Sequence, residues 1–188
     1  MNRGHILAFV LACALSAQGA DPLFESAQQK LDLIREGHAA RGSVVQFTPT
    51  EANAWARTKL AETVPTGVRN LHLVFGTDTV TGAALVDFRK VREANGVESS
   101  WLISRLLEGE RPVRAIIHLA SINGSATVAL TRVEVSNAAA SGTLLDFLMR
   151  NFVKPLYPSA RINEPVELDD PIERVEVRAT GVRVVMKK

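Results

Sequence analysis

Apolar and polar residues alternate along residues 111–137 with the period of two that is typical of β-strands, and the pattern predicts one very long hairpin. Asn123-Gly124 lies at its centre, and this dipeptide is the strongest short signal for a hairpin turn. Folding there places four apolar residues on one face, with Leu119 opposite Val128 and Ile117 opposite Leu130. The other face then carries Ile116, His118, Ala120, Thr127, Ala129 and Thr131.

Each arm of this hairpin has room for about 11 residues, roughly twice the mean strand length of ~5–6. Such strands are longer than a compact core of this size requires, so we expect a strongly curved sheet that wraps around part of the molecule. Toward the base, the register sets Ala115 against Arg132 and Val113 against Glu134, which would end the apolar stripe. A tunnel in the interior would therefore open toward the base, near Arg111 and Arg114.

Two further hairpins and one short strand are predicted by the same alternation. The first hairpin runs from Val68 to about Val91, and a turn at Thr77-Asp78 pairs Phe75 with Val80, Leu73 with Gly82 and Leu71 with Ala84. The last covers residues 172–186 around Thr180-Gly181 and pairs Val177 with Val184 and Val175 with Met186. Residues 43–47 form the short strand.

Helical spacing of apolar residues predicts three helices between these strands. Residues 22–38 form the first, and the second begins at Thr48 with Pro49 and Glu51 in the positions of a capping box. The third, residues 141–156, is apolar over most of its girth and is therefore expected to be buried on more than one side. Ser99 or Ser100 could cap a further short helix. The predicted fold class is α+β, a long, strongly curved antiparallel sheet wrapped around an apolar helix.

The first 20 residues resemble a secretory signal peptide, with Arg3 and His5 before an apolar run and small residues near Ala20. Residues 21–188 then form a single domain. The alternative is lipid anchoring through Cys13, which follows a loose lipobox-like stretch. Cys13 is the only cysteine, so the exported chain would have no disulfide framework, thiol nucleophile or thiolate metal site. An exported, cysteine-free, arginine-rich chain suggests a periplasmic location.

The charges favour neither nucleic acid nor a basic membrane-binding patch, because 22 Lys and Arg residues are interleaved with 20 Asp and Glu residues. His72 and His118 are best explained as ordinary strand residues, although a metal site or a general base is the alternative for both. Arg111 and Arg114 could bind an anion or could keep the end of a strand soluble. No motif for nucleophilic catalysis or phosphate binding is present. We therefore predict a protein that is not an enzyme, with no cofactor and no metal.

The order of these motifs resembles the tubular lipid-binding (TULIP) superfamily, in its small single-domain bacterial periplasmic forms. The resemblance covers residues 43–186. It rests on the capped helix from Thr48 to Trp55, the long hairpin from Val68 to Phe88 and the valine-rich strands after Pro171. In that superfamily a long curved sheet rolls around a helix and leaves an apolar tunnel for acyl chains.

The resemblance implies periplasmic binding or transfer of a lipid or another apolar small molecule, with a cell-envelope protein as a further candidate partner. The alternative is a scaffold or adaptor of an envelope complex with a filled core. The short apolar stretch from Trp101 to Leu107 is a candidate portal. The expected apolar lining comprises Leu71, Leu73, Phe75, Val86, Phe88, Trp101, Ile117, Leu119, Val128, Leu130, Leu148 and Phe152.

Overall fold

The computed structural model describes residues 21–64, 66–95, 108–150, 154 and 163–188. The predicted signal peptide, Cys13, Trp101, Phe152 and the helix predicted at Ser99 or Ser100 lie outside these residues. The described part contains four helices: α1 (Pro22–Arg35), α2 (Pro49–Thr63), α3 (Phe88–Asn95) and α4 (Gly142–Leu148). Its strands are β1 (Val44–Phe47), β2 (Val68–Phe75), β3 (Thr79–Asp87), β4 (Glu110–Ile122), β5 (Ser125–Val135), β6 (Ala138–Ala139), β7 (Pro165–Glu167), β8 (Ile172–Arg178) and β9 (Gly181–Met186).

The strands form two antiparallel sheets, which makes the fold α+β. The larger sheet has the order β2-β3-β4-β5-β6, and β7 pairs with β5 near the turn that joins β4 to β5. The smaller sheet has the order β1-β9-β8. Within the described residues neither sheet closes into a barrel.

The turns of the larger sheet bond to the free edge of β8 and thereby join the two sheets. Gly124 N donates to Glu173 O at 2.7 Å, and Asp78 N donates to Val177 O at 3.0 Å. Between them, Val175 N donates to the Ser121 hydroxyl at 3.0 Å. An edge strand would otherwise leave these groups unpaired, so the hairpin tips satisfy the backbone of β8.

The smaller sheet buries its apolar face against α1 and α2. This core contains Met186, which is fully buried, together with Val45, Phe47, Val184, Ala27 and Ile34. Trp55 packs at its margin, and its indole N–H donates to Gln28 Oε1 at 3.1 Å. The second core, described below, lies on one face of the larger sheet.

The long hairpin has the predicted turn and the predicted register next to that turn. Leu119 pairs with Val128 and Ile117 with Leu130. The predicted register at the base is wrong, because a bulge between Ile116 and Ile117 shifts the pairing by one residue. Val113 pairs with Val135 and Ala115 with Val133, so the apolar stripe continues to the base of the hairpin.

The first hairpin keeps its predicted turn but differs at its base. Asn70 has a positive φ of 57°, and the register shifts between Arg69 and His72, so the predicted pair of Leu71 with Ala84 does not form. The strand also ends at Asp87, and the chain turns into α3 instead of continuing to Val91. The predicted strand beyond Asp87 is therefore wrong.

In the last hairpin the turn falls at Ala179-Thr180, two residues wide, so that Val177 pairs with Val182 and Val175 with Val184. The predicted register is wrong by two residues, a shift that leaves Val175 and Val177 on their predicted face, whereas a further register shift between Ile172 and Arg174 sets Ile172 opposite Met186. The first helix ends at Arg35, before the predicted residue 38. The third predicted helix is described as α4 only to Leu148, and part of its predicted range lies outside the described residues.

No helix in the described part of the chain combines the length and the apolar character that crossing a bilayer requires.

Candidate functional site

An apolar cavity of about 300 Å³ lies on the face of the larger sheet that α2, α3 and α4 cover. Every described residue that lines it is apolar. The sheet contributes Val68, Val86, Val113, Ala115, Ile117, Leu130 and Val133, and the helices and their ends contribute Leu60, Val64, Phe88, Val91, Leu145, Leu148 and Met149.

The bulge in the long hairpin keeps the floor of this cavity apolar. Side chains alternate between the two faces of a regular strand, so Leu130 and Val133 could not share a face without an extra residue. Thr131 is that residue: Leu130 pairs with Ile117, and Arg132 pairs with Ile116. The Thr131 hydroxyl donates to Ile116 O at 2.9 Å, which satisfies one carbonyl at the interruption. Val133 consequently faces the cavity together with Leu130.

The wall at α3 depends on a close backbone approach at Gly67. Asp87 N donates to Gly67 O at 2.7 Å, where β3 ends and α3 begins. Gly67 has φ +92°, and a Cβ there would lie 2.6 Å from Val91 Cγ2 and 3.0 Å from Val91 N. Only a glycine fits this position. The approach holds Phe88 and Val91, which are 5% and 2% exposed, against the sheet.

The helix that carries Leu60 and Val64 is fixed at its N-terminus by a buried carboxylate. Glu51 accepts hydrogen bonds from Lys30 Nζ and Ser26 Oγ of α1, both at 2.6 Å, and from Thr48 N at 2.8 Å. Burial alone would raise the pKa of Glu51, but these hydrogen bonds, led by Lys30, outweigh burial and lower the pKa to about 2. Glu51 therefore ties α1 to α2 as a carboxylate.

Asn53 attaches the same helix to the edge of the larger sheet. Its Oδ1 accepts from Leu73 N at 2.7 Å, and its Nδ2 donates to Leu73 O at 2.9 Å and to Pro49 O at 2.8 Å. The side-chain amide thus replaces a neighbouring strand at Leu73 of β2. Thr48, Glu51 and Asn53, which belong to the capped-helix motif from Thr48 to Trp55, therefore cap α2 and attach it to α1 and to β2.

The predicted lining residues are placed in several parts of the molecule. Val86, Phe88, Ile117, Leu130 and Leu148 line the cavity. Leu119 and Val128 lie on the same sheet face nearer the turn, and Leu71 lies at the bulge of β2; these three do not line it. Leu73 and Phe75 line a separate, more polar groove with Asn53 and His72. Trp101 and Phe152 lie outside the described residues.

Sequence reasoning missed nine lining residues, for three reasons. The register predicted for the base of the long hairpin left out Val113, Ala115 and Val133. The sequence nevertheless shows that the apolar residues of β5 change from even positions (Leu130) to odd positions (Val133). Alternation predicts that Val91 lies in a strand, whereas it lies in α3. The remaining five, on the helices or at the start of β2, are Leu60, Val64, Val68, Leu145 and Met149.

None of the described residues that line the cavity carries a side chain that gives up or takes up a proton. The histidines of β2 and β4, His72 and His118, are exposed, and both lie on the sheet face opposite the cavity. His38 lies beside Glu36, with 3.3 Å between His38 Nδ1 and Glu36 Oε2. In the described ranges no three His, Cys, Asp or Glu side chains group in a way that could hold a metal ion. An arrangement of apolar side chains such as this one can bind hydrocarbon.

Arg111 and Arg114, the two arginines at the base, lie on opposite faces of β4. Arg111 pairs with Val86 and shares the cavity face, whereas Arg114 pairs with Ala83 and Glu134 on the other face. Only Arg111 is therefore placed beside the cavity.

Comparisons with protein-family models, with curated proteins and with solved structures found no match for this chain. Its function has to be inferred from the cavity and the residues around it.

Proposed function

We propose that this protein binds a lipid or another apolar ligand, without catalysis, in the cavity between the larger sheet and helices α2, α3 and α4. The observation that carries the proposal is a cavity of about 300 Å³ whose lining, as far as the structure describes it, consists of fourteen apolar residues. Small-molecule sites occupy roughly 300–1,000 Å³, so the cavity lies at the lower end of that range. Burial of a hydrocarbon there would contribute about 25 cal/mol per Å² of apolar surface removed from water.

The part of the ligand inside the cavity has to be hydrocarbon. No lining residue in the described part of the chain carries a polar side chain, so a hydroxyl, amide or charged group on the ligand would be buried without a side-chain partner there. Such a group costs roughly 1–3 kcal/mol when it is left without a hydrogen bond. Polar parts of the ligand therefore belong at the end of the cavity.

We further propose that the larger sheet wraps around the ligand and that α4 covers the cavity. Leu144, Leu145 and Leu148 of α4 pack against the cluster of Phe88, Val133 and Val135 on the sheet face. The relation to the tubular lipid-binding superfamily, export to the periplasm and a role in envelope lipid transport belong to the same proposal. They are supported by the sequence motifs and by an apolar cavity on the expected sheet face.

Native mass spectrometry after gentle purification tests the proposal. We expect a bound apolar molecule of defined mass, and we expect the emptied protein to extract lipid or fatty acid from vesicles. A protein that carries no such molecule and takes up none from vesicles would contradict the proposal. That outcome would favour the alternative, a non-enzymatic adaptor of an envelope complex, whose partner crosslinking would recover.

A matched pair of variants locates the binding site. Ala115→Leu adds three carbon atoms on the cavity wall, whereas Ala83→Leu adds the same atoms on the exposed opposite face of the sheet. At about 0.8 kcal/mol per displaced methylene group, Ala115→Leu should weaken binding by up to roughly fiftyfold. Ala83→Leu should bind as the wild type does. Equal affinities for the two variants would place the ligand elsewhere.

A further inference from the structure

Arg111 lies on the cavity face of the larger sheet, one step beyond the apolar lining. Side chains of directly paired residues share a face, and Val68, Val86 and Arg111 form one row across β2, β3 and β4. The first two of these residues line the cavity. The pairing of β3 with β4 is regular from Asp87 to Thr79, so Arg111 also shares its face with Val113, Ala115 and Ile117.

The guanidinium of Arg111 is partly removed from water without receiving a partner. Its Nε atom is buried and has no hydrogen-bond partner among the described residues. Five other sheet arginines of the described residues pair with carboxylates, among them Arg69 with Glu110 and Arg174 with Glu176, and Arg114 is exposed to water. No carboxylate of the described residues pairs with Arg111. A buried cationic donor without a partner is costly, and an anion that bonds to it recovers that cost.

We propose that the ligand is a single-chain amphiphile with a carboxylate head, whose chain fills the cavity and whose carboxylate bonds to the Arg111 guanidinium. This inference rests on the proposed function of the cavity. Arginine presents a planar fork of donors that matches a carboxylate, and the Nε edge of that fork is the part left unpaired here. A methylene group takes up a volume similar to that of a water molecule in the liquid, about 30 Å³. The cavity of about 300 Å³ therefore holds one chain of medium length.

The charge of the head group is tested with three probes of equal chain length, decanoate, decanol and decyltrimethylammonium, added to the delipidated protein at monomeric concentrations. Calorimetry or displacement of a fluorescent apolar dye gives the affinities. We expect decanoate to bind about tenfold to a hundredfold more tightly than decanol, the range of a charge-assisted hydrogen bond, and the cation to bind most weakly. Equal affinities for decanoate and decanol would overturn the inference.

The position of the head group is tested with Arg111→Gln against Arg114→Gln. Both residues lie in β4, three positions apart, but only Arg111 shares the cavity face. We expect Arg111→Gln to remove the preference for decanoate over decanol while decanol binds as before. Arg114→Gln should keep the preference. Because decanol reports on the cavity itself, unchanged decanol binding also shows that Arg111→Gln folds. A preference that survives in Arg111→Gln would overturn the inference.

Failure of this inference differs from failure of the proposed function. If decanol and decanoate bind equally well, the cavity takes apolar ligands and the anion site at Arg111 is wrong. If none of the three probes binds, the proposed function is itself contradicted.

A series of carboxylates from octanoate to tetradecanoate tests whether the chain lies inside the cavity. The affinity should rise roughly fourfold per methylene group and level off when the cavity is full. A series without a plateau would contradict a chain confined to the cavity.

Discussion

The carboxylate of Glu51 makes the stability of the protein depend on pH. Its folded pKa, about 2, lies below the ordinary value of 4.5 because Lys30, Ser26 and Thr48 donate hydrogen bonds to it. A lowered folded pKa contributes stability above the ordinary value, and that contribution is lost as pH falls from 4.5 toward 2. We predict that Glu51→Gln lowers the free energy of unfolding by about 1–2 kcal/mol at pH 7, allowing for solvent screening of the network.

The prediction is checked by chemical denaturation of both proteins between pH 7 and pH 2. The difference in the free energy of unfolding between the wild type and Glu51→Gln should decrease as pH falls from 4.5 to 2. Glu62→Gln is the matched control, because Glu62 lies on the same helix in an exposed ion pair with Lys59. It should change stability little at any pH. A gap for Glu51→Gln that does not vary with pH would argue against the ionised network.

Gly181 and Gly37 both have positive φ but differ in the space around Cα. A Cβ on Gly181 would overlap the carbonyl oxygen of Phe47 and lie 3.1 Å from Thr48 C, whereas a Cβ on Gly37 would meet nothing within 4 Å. We predict that Gly37→Ala costs roughly 1–2 kcal/mol, the strain of a left-handed alanine. Gly181→Ala should cost more than about 4 kcal/mol or prevent folding. Thermal unfolding measures both, and similar melting temperatures for the two variants would contradict the close approach at Phe47.

For single residues, the sequence predicts interactions within one helix but not the contacts that join different elements. The capping box of Thr48 and Glu51 follows from residue types three positions apart, and it is present. The bonds that Glu51 accepts from Ser26 and Lys30 join two helices, so they depend on where α1 packs. No spacing in the sequence encodes that position.

Among the elements, the long hairpin shows where strand reasoning succeeds and where it fails. The Asn-Gly turn fixes the register near the turn, and those pairs are as predicted. Strict alternation then predicts Arg132 and Glu134 on the apolar face. The bulge instead puts Val133 and Val135 on that face, so the face stays apolar. Burial of Val133 and Val135, which are 9% and 7% exposed, decides the outcome. A switch of apolar residues from even to odd positions within one strand is the signal of such a bulge.

The bulge leads to a prediction about single-residue deletions in β5. Deletion of Thr131 removes the extra residue, so β4 and β5 can pair regularly with Leu130 and Val133 still on the cavity face. Deletion of Ala129 instead makes Val128 and Leu130 adjacent, so that one of these two residues must leave the cavity face. We expect the first deletion to cost less than about 2 kcal/mol and the second more than about 3 kcal/mol. Urea denaturation distinguishes them, and the reverse order would contradict the register.

For the whole molecule, the fold class was predictable and the cavity only in part. Alternation and caps predict an α+β fold with long antiparallel strands, and the structure has this fold. The cavity depends on α3, whose start at Phe88 looks in sequence like the continuation of β3. It also depends on Gly67, because a Cβ at that position would collide with Val91 of α3 and keep the helix from packing on the sheet. Both are consequences of long-range packing, which alternation within one strand does not report.

An apolar cavity of this kind implies that stability and ligand binding oppose each other. Apolar side chains around a void lack contact partners, so atoms that fill it should stabilise the fold while they exclude the ligand. We predict that Ala115→Leu raises the free energy of unfolding of the ligand-free protein by up to about 2 kcal/mol, the transfer free energy of three carbon atoms. Ala83→Leu, on the exposed face, should change it by less than about 0.5 kcal/mol.

Added ligand should remove most of the difference in stability between the wild type and Ala115→Leu. Saturating decanoate stabilises a protein that binds it and leaves unchanged one that does not, so the wild type should gain stability and Ala115→Leu should gain little. Thermal unfolding with and without ligand measures both effects in one experiment. If Ala115→Leu is less stable than the wild type yet gains as much from decanoate, the space beside Ala115 is neither empty nor the place where the ligand lies. Stabilisation of the ligand-free variant together with loss of the ligand effect would identify this cavity as the binding site.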